Sequence, residues 1–239
     1  MADRIITIGN STIQHGREND RIYLIKLAHQ DMPELLAKID HLASAKGYGK
    51  VFAKVPARWL SRFFEAGYTS EAMVPFFFGG REDCHFMCRY YDHHRGFDPS
   101  QPEITRVIAL ARETKPKTRP RVPKEYTIRR CRPEDSLEMA ELFGNVFESY
   151  PFPVEDPEYI DQTMENDVIY FGAANQNDQL VSLASAELDP AAKNVEMTDF
   201  ATVLSHRRQG LARNLLKVMD EKMREKKIAV AYTIARAKS

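Results

Sequence analysis

The sequence predicts an α/β (α+β) fold in which two α/β units follow one another along the chain. Short strand patterns and amphipathic helix patterns alternate over residues 1–114, and a second alternating series runs over residues 125–239. Between them, residues 115–124 read KPKTRPRVPK, a stretch of prolines and basic residues that cannot bury an apolar face. We therefore expect a smaller N-terminal domain, a linker and a C-terminal domain.

The composition excludes several classes of protein. The 239 residues include 34 Lys and Arg against 34 Asp and Glu, and 43% are hydrophobic. These values indicate a globular chain and argue against nucleic acid as the main partner. No apolar run reaches the roughly 18 residues of a membrane helix, and the N-terminus lacks the apolar stretch of a signal peptide. We expect a cytoplasmic protein with no membrane segment.

Cysteine and histidine positions indicate no metal site. Cys84, Cys88 and Cys131 are an odd number of cysteines without zinc-ligand spacing, so reduced and inert thiols are expected. His93 and His94 follow Asp92, but this run favours an exposed polar turn over a set of metal ligands.

The second series predicts a strand, two helices and a three-stranded meander, followed by a helix and a strand. Residues 126–131 have β-propensity, and residues 133–136 offer the turn and N-cap of the first helix. The second helix is predicted at 157–165, and the meander at 168–174, 181–188 and 195–203. A last strand is predicted at 228–234. The long helix before it has its apolar side chains at helical spacing, at Leu211, Leu215, Leu216, Met219 and Met223.

The clearest chemical motif lies between the meander and the long helix. Residues 207–212 read RRQGLA, an Arg-x-x-Gly-x-Ala loop at a predicted strand-to-helix junction. Backbone N–H groups and the positive end of the helix dipole meet at such a junction, and Gly210 and Ala212 keep side-chain bulk away from an approaching anion. A pyrophosphate fits this loop. The alternative is a glycine that only eases a tight entry into the helix.

The order of elements around this loop resembles the GNAT-type N-acetyltransferases, and the resemblance covers residues 125–239. It implies a mixed sheet flanked by helices, with acetyl-CoA as cofactor. Five segments carry a narrower resemblance: TDFATV at 198–203, RRQGLARNLL at 207–216, AYTIARA at 231–237, GY at 67–68 and FFFGG at 76–80. In these segments the sequence resembles the beta-lysine N-acetyltransferases, whose members make the osmolyte N-epsilon-acetyl-beta-lysine.

The resemblance also implies which residues bind the cofactor. Backbone amides of the loop would hold the pyrophosphate, and the backbone of Thr202 and Val203 would pair with the pantetheine arm. The loop residues concerned are Arg207, Arg208, Gln209, Gly210, Leu211 and Ala212.

Amine acetylation requires a proton acceptor, because an alkylammonium with a pKa of about 10.4 must lose a proton before it attacks a thioester. Glu187, Glu196 and Asp199 lie on predicted strands beside the cleft. Strand alternation places Glu196 and Thr198 on one face of the strand and Met197 and Asp199 on the other. Only one of these two acids can then face the substrate, and we favour Glu196. The alternative for each acid is a solvated residue or a salt bridge. The acceptor side of the cleft is expected to include Glu148, Tyr150 and Phe152.

The chain stops at residue 239, before the final helix and strands of the family, so we expect either a shortened chain or another completion of the sheet. The first unit contains the kind of elements that the second unit lacks, with a helix predicted at 57–66 and strands at 71–78 and 84–90. A shift of 180 residues aligns the two units, and we hypothesise that residues 22–91 are a degenerate half of a GNAT fold without a cofactor loop. Chance similarity is the alternative.

Three functions remain open. The leading one is acetylation of beta-lysine by direct attack on bound acetyl-CoA, with backbone N–H groups stabilising the oxyanion. The second is acetylation of another small amine, such as lysine or a polyamine. The third is a catalytically silent module that binds acyl-CoA or associates with another subunit, with a homodimer as one such assembly.

Overall fold

The computed structural model describes residues 3–114 and 122–235. They divide into two compact units, which meet in the chain between Pro102 and Glu103. Most of the predicted linker, at residues 115–121, lies outside the described residues, so the domain boundaries drawn from the sequence stay a prediction.

The first unit contains a six-stranded mixed sheet with the strand order β1-β2-β3-β4-β6-β5. Strands β3 and β4 pair in parallel, and every other neighbouring pair in this sheet is antiparallel. The elements are β1 (Arg4–Ile8), β2 (Ser11–Gly16), β3 (Arg21–Lys26), α1 (Glu34–Lys46), β4 (Lys50–Pro56), α2 (Leu60–Glu65), β5 (Thr69–Phe78) and β6 (Glu82–Tyr90).

The core of the first unit lies between this sheet and α1 and α2. Helix α1 contributes Leu35, Ile39 and Ala43, which share a face because four residues make about one helical turn. Phe63 of α2 is buried in the same core, whereas Phe64 is 50% exposed. The two side chains differ because successive helical residues point about 100° apart.

Among the described residues, the cysteine thiols are free and buried and the turn after Asp92 is exposed, as the sequence analysis expects. All three cysteines are free and buried, and burial raises the pKa of each to about 12. Residues 93–96 form a single exposed 3-10 turn, in which the Asp92 carboxylate accepts a hydrogen bond from the His94 N–H. Nowhere in residues 3–114 and 122–235 do three or more Cys, His, Asp or Glu side chains come together as a set of metal ligands.

A further helix, α3 (Gln101–Glu113), follows this turn, and none of its residues is buried. The second unit then forms a five-stranded sheet with the order β11-β10-β9-β8-β7, in which only β10 and β11 pair in parallel. Its elements are β7 (Thr127–Arg130), α4 (Ser136–Val146), α5 (Pro157–Glu165), β8 (Val168–Ala174), β9 (Leu180–Asp189), β10 (Asn194–Thr202), α6 (Leu211–Glu225) and β11 (Val230–Tyr232).

The two faces of this second sheet pack against different helices. Leu183 points toward α4 and α5, whereas its neighbour Ala184 points toward α6, as expected for strand alternation. Helix α6 buries Leu215, Met219 and Met223 on the sheet and leaves Leu216 exposed. No helix among the described residues has the length and apolar character needed to cross a membrane.

The two sheets share a topology. In each, three antiparallel strands are followed by a helix and then by a strand parallel to the third: β1–β3, α1 and β4 in the first unit, and β8–β10, α6 and β11 in the second. The shift of 180 residues places Lys50, where β4 begins, on Val230, where β11 begins. The hypothesis that the first unit is a degenerate half of the same fold stays a prediction.

Candidate active site

The parallel strands β10 and β11 pair along only part of β10 in the described residues. Their register joins Asn194 to Val230, Val195 to Ala231 and Glu196 to Tyr232, where β11 ends. Strand β10 continues to Thr202 with β9 on one side, so its other edge is open beyond Glu196 within the part of the chain that the structure describes. An open strand edge offers backbone donors and acceptors to an extended ligand.

A β-bulge interrupts β10 directly beside this open edge. Thr198 pairs with Ser185 and Ala201 pairs with Leu183, so Asp199 and Phe200 together face the single residue between those partners. Asp199 has a φ of 54°, in the left-handed region that non-glycine residues rarely adopt. Bulges of this kind redirect side chains.

The bulge turns Asp199 toward the face of the sheet that carries Ser185 and Thr198. The expected alternation, in which Asp199 shares a face with Met197, was wrong, because Met197 packs on the α6 side. Asp199 is 6% exposed and accepts hydrogen bonds from two hydroxyl groups, Tyr150 Oη at Oδ1 and Ser185 Oγ at Oδ2. Burial raises the pKa of Asp199 despite these two donors, and the charge of Glu196 raises it further.

The tyrosine that contacts Asp199 lies in the loop between α4 and α5. The Tyr150 ring stacks on Phe147 with ring centroids 4.7 Å apart, and its Oη lies 3.5 Å from Thr198 Oγ1. Burial and the neighbouring Asp199 carboxylate both raise the pKa of Tyr150. These contacts fix the loop to the bulge.

The three predicted acids come together on one face of the sheet. Glu187 and Glu196 are direct partners across β9 and β10, on the same face as Ser185 and Thr198. Glu187 is exposed and Glu196 is half-buried. The acid that directly contacts a residue of the predicted acceptor side is Asp199, through Tyr150.

The other residues predicted for the acceptor side differ in environment. Phe152 is half-buried and packs against the core beneath α4 and α5, whereas Glu148 is exposed. Asp156, an acid of the same loop, accepts a hydrogen bond from the Glu158 N–H and caps α5, so its role is structural.

The Arg-x-x-Gly-x-Ala loop lies at the beginning of α6, as predicted. Gly210 is the N-cap with a φ of 75°, and no side chain caps this helix end. The Asn214 N–H and the Asn214 side-chain amide both donate to the Gly210 carbonyl, at 3.1 and 3.0 Å. The amides of Leu211 and Ala212 precede this first helical bond, so they are available to an anion. A Cβ at Gly210 would meet only Asn214 Nδ2 at 3.8 Å, so the left-handed backbone, rather than lack of space, requires glycine.

Neighbouring groups hold this loop in place. Arg207 Nε donates to the Thr202 carbonyl at 3.1 Å, and Tyr126 Oη and His206 Nδ1 are 2.9 Å apart. The Val203 N–H donates to the Val181 carbonyl, and the Val203 carbonyl accepts from the His206 N–H. Both backbone groups of Val203 are therefore engaged within the chain. The backbone groups of Thr202 point to the opposite edge of β10, because alternate residues of a strand face opposite neighbours.

Sequence reasoning missed Ser185, Tyr126 and Asn214. Ser185 is fully buried in β9, between residues that pack in the two cores on either face of the sheet. A hydroxyl in such a strand needs a hydrogen-bond partner, and that requirement was the available signal. No local pattern connects Tyr126 with His206, because the two residues are far apart in sequence.

Comparison with known proteins identifies the class. The model of the acetyltransferase (GNAT) family matches residues 137–237, which include both the bulge and the glycine loop. The chain belongs to the GNAT family of acetyltransferases, and acetyl-CoA is the acetyl donor of this family.

Its relatives extend the likeness to the first unit. The chain is 32% identical to a protein of Methanococcus maripaludis named beta-lysine N(6)-acetyltransferase, over 98% of this chain and 85% of that one. A protein of the same name from Methanosarcina mazei is 28% identical over 85% of this chain and 82% of its own length. Among solved structures, an acetyltransferase of Trypanosoma brucei covers 48% of this chain and 85% of its own, with 20% identity and a TM-score of 0.41.

Proposed function

We propose that this chain transfers the acetyl group of acetyl-CoA to the ε-amine of beta-lysine. The main support is the likeness to two proteins named beta-lysine N(6)-acetyltransferase, which covers 98% of the chain in one case and 85% in the other. This likeness includes the first unit, which lies outside the matched residues of the general family model.

The charge of the candidate site is consistent with a cationic acceptor. Glu187 and Glu196 are partners on the same face as the buried Asp199. Carboxylates on one face attract an alkylammonium and also offer acceptors for the proton that it must lose. We assign Glu148, Tyr150 and Phe152 to the acceptor side of this cleft.

The loop and the open edge of β10 fit the two chemical parts of acetyl-CoA. We assign the pyrophosphate to the amides of residues 207–212, next to the basic side chains of Arg207 and Arg208, and the pantetheine arm to the edge at Thr202. Residues 199 to 203 span about 13 Å of extended strand. An arm that follows β10 from the loop therefore leads to the bulge at Asp199. Acetyl-CoA supplies an acetyl group that is already activated as a thioester.

Direct attack by the amine fits the cysteine chemistry. Burial raises the pKa of Cys84, Cys88 and Cys131 to about 12, so each remains a thiol at neutral pH and is a poor nucleophile. The proposed reaction therefore needs no acetylated cysteine. We also propose that the protein is cytoplasmic, in line with its free cysteines, and acts on small molecules rather than nucleic acid, alone or as a homodimer.

An acceptor panel tests the proposed function. The chain is incubated with acetyl-CoA and beta-lysine, lysine, ornithine or spermidine, and the products are identified by mass spectrometry. We expect an acetyl group on the ε-nitrogen of beta-lysine. Preferred acetylation of another amine would show that this amine, rather than beta-lysine, is the acceptor. Binding of acetyl-CoA without any product would favour a catalytically silent module.

A further inference from the structure

Asp199, Tyr150 and Ser185 form a hydrogen-bonded group around a buried acid, next to the open edge of β10. An ionised carboxylate only accepts hydrogen bonds, so both hydroxyl protons point at Asp199. The oxygen lone pairs of Tyr150 are then directed away from the acid. One lone pair can accept from the Thr198 hydroxyl, whose Oγ1 lies 3.5 Å away, and the other is able to accept a proton from a further donor.

Solvent exposure distinguishes the members of this group. Asp199 and Ser185 are buried, whereas Tyr150 is half-buried. Tyr150 is therefore the member of the group that is most accessible to a substrate. The bulge that carries Asp199 lies on the stretch of β10 where β11 no longer runs beside it, so the group adjoins the open edge.

We propose that Tyr150 relays a proton from the acceptor ammonium to Asp199. This inference rests on the proposed amine acetylation and adds the route of the proton. One N–H bond of the ammonium breaks as its proton passes to Tyr150 Oη, and the original Tyr150 proton passes to Asp199 Oδ1. The products are a neutral amine, a neutral phenol and a protonated carboxyl group.

The remaining protons also balance. The nitrogen lone pair that is set free forms the bond to the acetyl carbon, and the electron pair of the broken C–S bond stays on sulfur. A second nitrogen proton ends on that sulfur, and Asp199 returns its proton to water after the product leaves. Ser185 acts as a positioning residue, because its hydroxyl holds the second carboxylate oxygen and favours the ionised form.

Paired substitutions test the relay in the full chain. Tyr150→Phe removes the hydroxyl but keeps the ring stacked on Phe147, and Asp199→Asn removes the proton acceptor. We expect each to lower kcat by about 100-fold, the usual scale of general acid–base catalysis. The double variant should lose no more than either single variant, because both interrupt one route. The Kd of acetyl-CoA, measured by calorimetry, should stay unchanged.

Tyr170→Phe is the matched control. It removes a phenol from the core of the same unit, but Tyr170 Oη bonds to Thr163 Oγ1 at 2.9 Å and not to Asp199. We expect this variant to retain its activity. Thermal unfolding of every variant separates a loss of kcat from a loss of folded protein.

The pH profile provides a readout that a purely structural role would not change. The relay needs ionised Asp199, so kcat should rise with pH through the raised pKa of this group. Ser185→Ala removes a hydrogen bond that lowers this pKa. The rise of kcat on the acidic side of the pH profile, its acid limb, should therefore move to higher pH. In Asp199→Asn the acid limb should disappear.

Three results would overturn the relay: wild-type kcat in Tyr150→Phe, losses that multiply in the double variant, or an acid limb that disappears in Glu196→Gln instead. Turnover is measured with whichever amine of the panel reacts, so a wrong acceptor does not affect the test. If no amine reacts, the proposed function fails separately. Carbon-13 NMR of Asp199 then decides, because the relay requires its titration to move to higher pH in both Tyr150→Phe and Ser185→Ala, and an unchanged titration contradicts it.

Discussion

At the scale of single residues, a buried carboxylate makes folding stability depend on pH. Burial raises the pKa of Asp199 in the folded chain above its unfolded value. The folded state therefore holds this proton more tightly, and the free energy of unfolding falls as pH rises from the unfolded pKa through the folded one.

Asp199→Asn removes this dependence. We predict that the variant matches the wild type at about pH 4 and is more stable at about pH 8, by roughly 1.4 kcal/mol for each unit of pKa elevation. Urea unfolding at both pH values measures the difference. A variant that becomes less stable than the wild type as pH rises would contradict this reasoning. Lower activity with higher stability is the pattern expected of a residue kept for chemistry.

Gly210 permits a second prediction for a single residue. Gly210→Asp adds a strained left-handed side chain and a negative charge at the helix end that is assigned to a pyrophosphate. We expect the Kd of acetyl-CoA to rise at least tenfold, or about 1.4 kcal/mol. Calorimetric titration measures it.

Gly47→Asp is the matched control for that measurement. Gly47 ends α1 with a φ of 66°, and a Cβ there would meet nothing within 4 Å. The control therefore adds the same backbone strain and the same charge in the other unit. It should lower the stability of the chain and leave the Kd of acetyl-CoA unchanged. Equal effects of both variants on this Kd would contradict the assignment of the pyrophosphate to the loop at Gly210.

At the scale of elements, the contact between Tyr126 and His206 connects the residue before β7 with the loop before α6. Tyr126 also packs against the small apolar cluster that contains Leu211, at the first turn of α6. We predict that Tyr126→Phe keeps this packing but lowers stability by about 1 kcal/mol, the usual value of one hydrogen bond. It should also weaken acetyl-CoA binding several-fold, because the loop loses a support. Chemical unfolding and calorimetry measure the two effects, and unchanged binding would assign this contact to stability alone.

Several elements of the second unit could be predicted from local pattern. The bounds of α5 and β8 agree with prediction because Pro157 begins the helix and polar turns delimit the strand. Strand β11 is shorter than predicted, since it pairs with only three residues of β10. The bulge at Asp199 broke the alternation on which the choice among the acids depended. A bulge results from pairing between strands, so one strand's own sequence does not reveal it.

At the scale of the whole molecule, both units bury cysteine thiols. Cys84 and Cys88 lie in the first unit and Cys131 in the second, and burial raises the pKa of each to about 12. We predict that a disulfide reagent such as Ellman's reagent modifies none of the three quickly in the native chain and all of them after unfolding in urea. A fast-reacting thiol in the native protein would show that one unit opens locally.

Sequence reasoning had different success with the two halves of the molecule. In the second unit, the order of elements and the glycine loop were sufficient to indicate the family, because both lie in one continuous stretch of sequence. In the first unit, the pattern found the helix and strands of residues 57–90, but not α3, which buries no residue. Contacts between distant residues, such as Ser185 with Asp199, depended on the tertiary structure.

The separation of β10 from β11 has a consequence for the local stability of the sheet. A short parallel pair held at one end and open at the other loses protection against hydrogen exchange first at its open end. A donor molecule lying along the open edge of β10 would act there as a temporary additional strand. We predict slower amide exchange at Val195 and Ala231 when acetyl-CoA is bound, measured by mass spectrometry, and no such slowing with the adenine nucleotide portion alone. In that case bound acetyl-CoA extends the sheet at the open edge of β10. This edge is covered when the donor binds and exposed again when the product leaves, once in each turnover.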